Sequence, residues 1–149
     1  MASSQFVAFY IEPDGAHIPI SYVHFTNCGD IFLVGGACTN GHALRAMHAE
    51  DQLSLRNYGG VMLATLRHGF KRYGPKCQAI FTCCKDSQAL VTTLKAGFVE
   101  TDMEHLLVKW PIALDDDSKR ELVAKENFLI GRRRSAVNGM IFDQSIPRR

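Results

Sequence analysis

Two segments of the chain carry residue types that could do chemistry. The first is EDQLSLRNYGGVML, residues 50–63, where Gly59-Gly60 stands at the predicted start of a helix and Arg56 lies just before it. Glycines let the backbone approach a ligand closely, and the free amides and positive dipole end of a helix N-terminus favour a phosphate. A glycine pair also serves as a helix kink or a packing contact, so phosphate binding and a structural role both stay open.

The second segment is KDSQALVTTLKAGF, residues 85–98. Asp86 or Ser87 is a good helix N-cap, and Gly97 a good residue just past the C-terminus. Two threonines, Thr92 and Thr93, fall in its third turn. Ala89, Leu90 and Leu94 are expected on the packed face. The segment therefore predicts a capped amphipathic helix that leads into a strand.

The histidines and cysteines were considered as ligands and nucleophiles. The six histidines show no metal-ligand spacing, and no metal site is predicted. His48-x-Glu50 is the one pairing close to the glycine loop. Five cysteines, two of them adjacent at Cys83-Cys84, do not suggest a disulfide framework and fit a reducing compartment. They are expected to be small core residues, with a cysteine nucleophile at Cys83 or Cys84 as the alternative.

Hydrophobic periodicity predicts the elements that position these segments. Residues 6–12 and 16–25 read as strands joined by a tight turn at Asp14-Gly15, with Pro19 marking an edge or a bulge. Residues 30–38 and 42–49 read as a second hairpin, turned at Asn40-Gly41. A helix with a period near 3.6 follows and ends before Gly74-Pro75. Residues 77–84 and 103–110 are the last two predicted strands, on either side of the second segment.

Composition and charge limit the function classes. The chain has 149 residues, 46% of them apolar and 21% charged, which suits one globular domain. Its N-terminus lacks the pattern of a signal peptide and no apolar run could span a bilayer, so a cytoplasmic protein without membrane association is expected. The net charge of +2 comes from residues 111–149, which include Arg132, Arg133 and Arg134. This cluster could bind nucleic acid, but a solvated face or a protein contact is favoured.

The order of elements, the Arg56-x-x-Gly59 helix entry and the DSQALVTTLKAGF segment together resemble the GCN5-related N-acetyltransferase (GNAT) family. The resemblance covers roughly residues 30–110. It implies an α/β fold with a mixed, mostly antiparallel sheet and with helices after strands 4 and 5. The helical pair that usually follows the first strand is reduced or missing here. Residues 1–110 would form the GNAT-like domain and residues 111–149 a C-terminal extension with a short helix and a basic tail.

The resemblance further implies acetyl-CoA, or another acyl-CoA, as cofactor. The pyrophosphate would bind the glycine loop, and the pantetheine arm would pair with backbone at the end of the fourth strand. The implied cofactor-binding residues are Met47, His48, Ala49, Arg56, Asn57, Tyr58, Gly59, Gly60, Val61 and Asp86. Glu50 and His48 are the candidates for the base that deprotonates the amine acceptor, and Thr93 occupies the position of the family's tyrosine acid, where it could orient a water.

The function predicted is therefore an acyl-CoA-dependent N-acyltransferase that works by direct attack of an amine. The alternative is a catalytically weak or inactive GNAT-like module that binds and modulates another protein. Small proteins of this fold resemble some that tailed phages encode, which would favour a host protein in the host cytoplasm as the target. The missing helical pair suggests that the acceptor site is completed by the C-terminal tail or by the second subunit of a homodimer.

Overall fold

The computed structural model describes residues 2–138, and side chains up to residue 127 together with residue 129. The chain divides into two units, residues 1–114 and 115–149. The first unit contains β1 (Ser3–Ile11), β2 (His17–Asn27), β3 (Ile31–Thr39), α1 (Gly41–Ala46), α2 (Ala49–Tyr58), α3 (Val61–Tyr73), β4 (Ala79–Cys83), α4 (Ser87–Lys95), β5 (Val99–Glu100) and β6 (Leu106–Lys109). The second unit contains α5 (Asp116–Asn138).

The six strands form one sheet in the order β1-β2-β3-β4-β6-β5. Every neighbouring pair is antiparallel except β3 and β4, which run parallel and are connected through α1, α2 and α3. The predicted fold class, a mixed and mostly antiparallel sheet, is confirmed. The helices, however, follow strands 3 and 4, one strand earlier than predicted.

The first hairpin forms as predicted. Gly15, with a φ of 88°, closes the turn by donating its N–H to the Glu12 carbonyl at 2.8 Å, and Asp14 Oδ1 accepts from the Ala16 N–H at 2.9 Å. The turn joins β1 directly to β2. Opposite Ala8 and Phe9 the register of β2 shifts by one residue next to Pro19. The predicted bulge is therefore present, because proline has no N–H to give to the ladder.

The prediction of a second hairpin was wrong. Residues 42–49, predicted as the fourth strand, lie in α1 and at the start of α2. The Asn40 side chain accepts the Ala43 N–H at 3.0 Å and so caps α1 instead of turning a hairpin. Ala43 and Met47 are buried, one helical turn apart. The apparent alternation of apolar residues thus belonged to the 3.6-residue period of a helix.

A glycine pair separates the next two helices. Gly59 ends α2 in the left-handed region with a φ of 109°, where a Cβ would lie 2.6 Å from Leu63 Cδ2. Gly60, with a φ of 97°, precedes α3, which ends before Gly74 as predicted. α3 packs its apolar face on the sheet. The core around it contains Val23, Phe25, Phe32, Val34, Leu63, Leu66, Phe70, Tyr73, Ile80 and Leu107.

The second chemical segment also folds largely as predicted. Asp86 Oδ1 accepts the Ala89 N–H at 2.7 Å at the start of α4, and Gly97 follows its end with a φ of 93°. The packed face, however, is rotated: Thr93 and Ala96 are buried whereas Leu94 is 43% exposed. The last predicted strand, residues 103–110, is shorter than expected and pairs with the unpredicted strand β5.

α5 begins at Asp116, so its N-cap is Asp115 instead of the predicted Asp117 or Ser118. Asp115 Oδ1 accepts the Ser118 N–H at 2.8 Å, and this cap lowers the pKa of Asp115. The side chains of Arg132, Arg133 and Arg134 lie outside the described residues. No helix among residues 2–138 is both long and apolar enough to cross a membrane.

One face of the first hairpin stays uncovered. Val7, Phe9 and Ile11 alternate along β1 and are 43%, 51% and 60% exposed. β1 is an edge strand, and it carries no charged residue over its nine positions. Edge strands are usually protected by charges, so this apolar stripe is a distinct surface feature of the first unit.

Candidate functional site

A β-bulge bends strand β3 in its middle. Val23 lies opposite Ala37 and His24 opposite Gly35, which leaves Gly36 as the extra residue, with a φ of 59°. Glycine adopts this conformation without strain, and a bulge both bends a strand and increases its twist. The half of β3 beyond Gly36 therefore leaves the direction set by its first half.

The parallel pair of β3 and β4 ends at the bulge. Pairing runs from Ile31 opposite Ala79 to Val34 opposite Thr82, and no strand of the described sheet pairs with that side of β3 afterwards. The Thr82 hydroxyl donates to the Val34 carbonyl at 3.1 Å, between the two residues of the last pair in the ladder. Beyond this pair the two strands diverge.

The divergence opens a cleft of about 480 Å³ between β3 and β4. β3 contributes residues 34–39, whose backbone edge faces the cleft beyond the last rung. The remaining walls come from α3, the end of β4, α4 and Phe98. The residues from these parts are Met62, Leu66, Thr82, Cys83, Cys84, Asp86, Gln88, Ala89, Thr92, Thr93 and Phe98. Among the described lining residues, Asp86 alone carries a formal charge.

Two cysteines face the open side of the cleft. Cys38 lies opposite Tyr22, and Tyr22 opposite Val7, so all three point away from α3. Cys83 alternates with Ile80 and Thr82 along β4, and Ile80 packs in the core beneath α3. Both thiols are exposed. They therefore lie on the same face of the sheet, on opposite walls of the cleft.

The predicted site residues of α4 do line this cleft. Thr93 is buried, and its hydroxyl donates to the Ala89 carbonyl at 2.8 Å within the helix. Asp86 has one carboxylate oxygen engaged in the α4 cap. Both residues thus have structural roles that the helix itself explains, and their predicted catalytic and cofactor-binding roles stay predictions.

Four of the predicted cofactor residues, Met47, Arg56, Gly60 and Val61, line a separate, smaller pocket of about 180 Å³, whereas Asn57, Tyr58 and Gly59 do not. Gln52 braces it by donating to the Met47 carbonyl at 2.8 Å and the Arg45 carbonyl at 3.1 Å. Val61 lines this pocket and the next residue, Met62, lines the cleft, so the first turn of α3 separates the two. The pocket is lined by Leu44, Arg45, Met47, Gln52, Leu55, Arg56, Gly60 and Val61.

The start of α3 keeps the features expected of an anion site. Gly60 provides no side-chain cap, and a Cβ built on it would meet nothing within 4 Å. Arg56 is exposed in the last turn of α2, with Nη2 at 3.5 Å from Gln52 Oε1. Asn57 and Tyr58 are exposed beside it, and the Tyr58 ring lies 5.4 Å from the Arg67 guanidinium.

The predicted bases do not reach the cleft lining. His48 is the N-cap residue of α2 and Glu50 lies in its first turn, and both are exposed. With Ala49, they belong to a helix start instead of the strand end on which the prediction relied. Nearby, the Tyr10 hydroxyl donates to Asp51 Oδ2 at 2.8 Å, and this bond raises the pKa of Tyr10.

The predicted strand at residues 30–38 corresponds to β3, but the bulge that shapes the cleft was not predicted. The signal was available at Gly35-Gly36, since glycines inside a strand often mark a bulge or a close backbone approach. The same reasoning would identify residues 37–39, which follow the bulge, as the free strand edge. In the part of the chain with described side chains, no cluster of three or more histidines, cysteines or carboxylates could hold a metal ion.

No protein-family model matches the chain, and no curated protein matches it. Among solved structures, Tetrahymena GCN5 is similar with 12% identity and a TM-score of 0.49, over 76% of this chain and 71% of that one.

Two further solved structures are similar at comparable levels. One is a Vibrio cholerae spermidine N-acetyltransferase SpeG chimera with hSSAT, at 11% identity and a TM-score of 0.43, over 74% of this chain and 68% of that one. The other is a KacTA–DNA complex, at 11% identity and a TM-score of 0.43, over 83% and 74%. The likeness to phage-encoded proteins finds no support in these comparisons.

Proposed function

We propose that this protein is an acyl-CoA-dependent N-acyltransferase whose cofactor arm lies in the cleft between β3 and β4. The observation that carries the proposal is the divergence of a parallel strand pair at the Gly36 bulge. It exposes a strand edge, residues 37–39, inside a cleft. An extended ligand with amide groups, as the pantetheine arm is, can pair with such an edge as an added strand would.

The charge distribution around the cleft supports a cofactor whose arm lies in the cleft and whose pyrophosphate lies at the start of α3. The cleft walls are nearly uncharged, which suits a thioester and an apolar arm. Free amides at the start of α3 and the Arg56 guanidinium lie beside it, where they would hold the pyrophosphate. Acyl-CoA supplies the activated thioester, and the protein supplies an aligned edge and a site that excludes bulk water.

The candidate reacting groups are Thr93 in the cleft lining and the predicted bases, Glu50 and His48, outside it. Thr93 donates its hydroxyl to its own helix, which leaves it a role in orienting a water near the leaving thiolate. Glu50 and His48 remain the predicted bases, and they would need an acceptor that approaches over the start of α2. An amine that arrives already deprotonated needs neither of them.

Calorimetry with acetyl-CoA tests the proposal, using a matched pair of bulky variants on α4. Ala89 is exposed and lines the cleft, whereas Val91, two residues on, is exposed and lies outside it. Ala89→Trp should fill the cleft and reduce acetyl-CoA affinity at least tenfold, and Val91→Trp should leave it unchanged. Equal affinities, or no binding to the unmodified protein at millimolar ligand, would refute the proposal.

The apolar stripe of β1 favours the alternative function, a module that binds another protein. Val7, Phe9 and Ile11 form an exposed apolar row on an uncharged edge strand. The predicted homodimer remains a prediction as well, and this stripe is a candidate interface for it. Replacing Phe9 with Lys should abolish partner binding or self-association in sedimentation experiments while leaving acetyl-CoA binding intact. Unchanged sedimentation in Phe9→Lys would count against both uses of the stripe.

A further inference from the structure

The strongest nucleophiles among the described lining residues of the cleft are thiols, and the other candidates are threonine hydroxyls. Its described lining residues include Cys38, Cys83 and Cys84, and they include no lysine or histidine. The Thr82 and Thr93 hydroxyls are already donated to carbonyls. A cysteine is partly thiolate at neutral pH and is a far better nucleophile than an alcohol. The group best suited to receive an acyl chain here is therefore a cysteine.

The position of each thiol separates the three. Cys83 directly follows Thr82, the last residue that pairs with β3, and so lies at the closed end of the cleft. Cys38 lies four residues beyond Val34, roughly 13 Å farther along β3. Cys84 points to the helix side, with Sγ 3.4 Å from the Asp86 carbonyl. Cys83 alone combines exposure with the closed end.

A long thioester ligand would place its reactive end near Cys83. Its nucleotide is too large for a cleft of about 480 Å³ and must stay at the open end, beside the start of α3. The acyl group then occupies the closed end, where the strands separate. Cys83 faces away from α3, on the side from which an acceptor can approach.

We propose that Cys83 is acylated by the bound thioester before the acyl group passes to the amine acceptor. In the first step the Cys83 sulfur attacks the thioester carbonyl, the bond from that carbon to the CoA sulfur breaks, and the thiol proton goes to the departing CoA. In the second step the amine attacks the acyl-cysteine, an amide forms and the Cys83 thiol is regained. The first step exchanges one thioester for another and the second converts a thioester to an amide, so neither needs an oxidant or a reactant besides acyl-CoA and the amine. This inference rests on the proposed binding of acyl-CoA.

Intact-protein mass spectrometry after incubation with acetyl-CoA, without any amine, tests this step. We expect a mass increase of one acetyl group with release of one equivalent of CoA, and removal of the adduct by neutral hydroxylamine. Cys83→Ala should lose the adduct but bind acetyl-CoA in calorimetry as the unmodified protein does. Cys28→Ala, a half-buried cysteine outside the cleft lining, is the matched control and should keep it.

The possible results separate this inference from the proposed function. Binding of acetyl-CoA without a labile adduct, or an adduct that persists in Cys83→Ala, overturns the acyl-cysteine step and leaves the binding site in place. A peptide map that finds the acetyl group on Cys38 overturns the assignment to Cys83. Absence of acetyl-CoA binding overturns both.

Discussion

Replacing Gly69 with alanine should destabilise the protein, although helix propensity predicts the opposite. Gly69 is buried in the middle of α3, where alanine would normally stabilise a helix by about 1 kcal/mol. A Cβ at this position would lie 2.5 Å from Cε2 of Phe25 and even closer to Cζ. The side chain of Phe25 is fully buried, with the rings of Phe6 and Tyr73 at 5.6 and 5.3 Å between centroids.

The magnitude follows from these two opposing contributions. Overpacking a filled core costs roughly 1 to 3 kcal/mol, because rings or backbone must shift. After the gain in propensity, we expect Gly69→Ala to lower the free energy of unfolding by up to about 2 kcal/mol. For a protein of this size, that corresponds to a fall in Tm of up to roughly 8 °C.

Urea unfolding of a double-mutant cycle with Phe25→Leu measures the clash itself. The shorter leucine leaves room for the new methyl group, so the double variant should be more stable than the sum of the two single changes by about 1 kcal/mol or more. Ala64→Gly on the same helix is the propensity control and should destabilise by about 1 kcal/mol. Additive single effects, or a stabilised Gly69→Ala, would refute the assigned contact between α3 and Phe25.

Three further changes probe other parts of the fold. Burial raises the pKa of the Cys77 thiol to about 11, from a value near 9 in the unfolded chain. The folded state is therefore favoured fully below pH 9, and this stabilisation is lost as the pH rises towards 11. Cys77→Ala should remove that loss, up to about 2 kcal/mol, in unfolding free energies measured from pH 8 to 11. Asp86→Ala removes the cap of α4 and should destabilise by about 1 kcal/mol in thermal unfolding, whereas Asp86→Asn should recover most of it. Gly59→Ala should lower the free energy of unfolding by roughly 1 to 3 kcal/mol, because its φ of 109° disfavours a side chain and the methyl group would meet Leu63; an unchanged Tm would show that the α2–α3 turn can rearrange.

Local sequence patterns predicted those elements for which the pattern has only one structural interpretation. The Asp14-Gly15 turn, the end of α3 before Gly74 and the Asp86 cap each depend on a few neighbouring residues. Asn40-Gly41 has two readings, because asparagine both tolerates a hairpin turn and caps a helix. The capping bond to Ala43 and the burial of Met47 favour the helix. Met47 is buried by other elements of the fold, and a short window of sequence does not contain that information.

The candidate site was predictable only in part, for a related reason. Its α4 wall followed from the capped helix. The β3 wall depends on the Gly36 bulge and on the Thr82 hydroxyl, two features from distant parts of the chain. The two features come together only in the folded sheet, so no spacing in the sequence predicts their proximity.

The hydrogen bond from Thr82 to the Val34 carbonyl has a kinetic consequence. It holds the last pair of the parallel ladder, and beyond that pair the Gly36 bulge turns β3 away from β4, so the cleft is open before a ligand arrives. A ligand that enters finds space already formed and breaks no rung of the ladder. Its observed association rate should therefore rise linearly with ligand concentration, without the plateau that a slow opening step imposes.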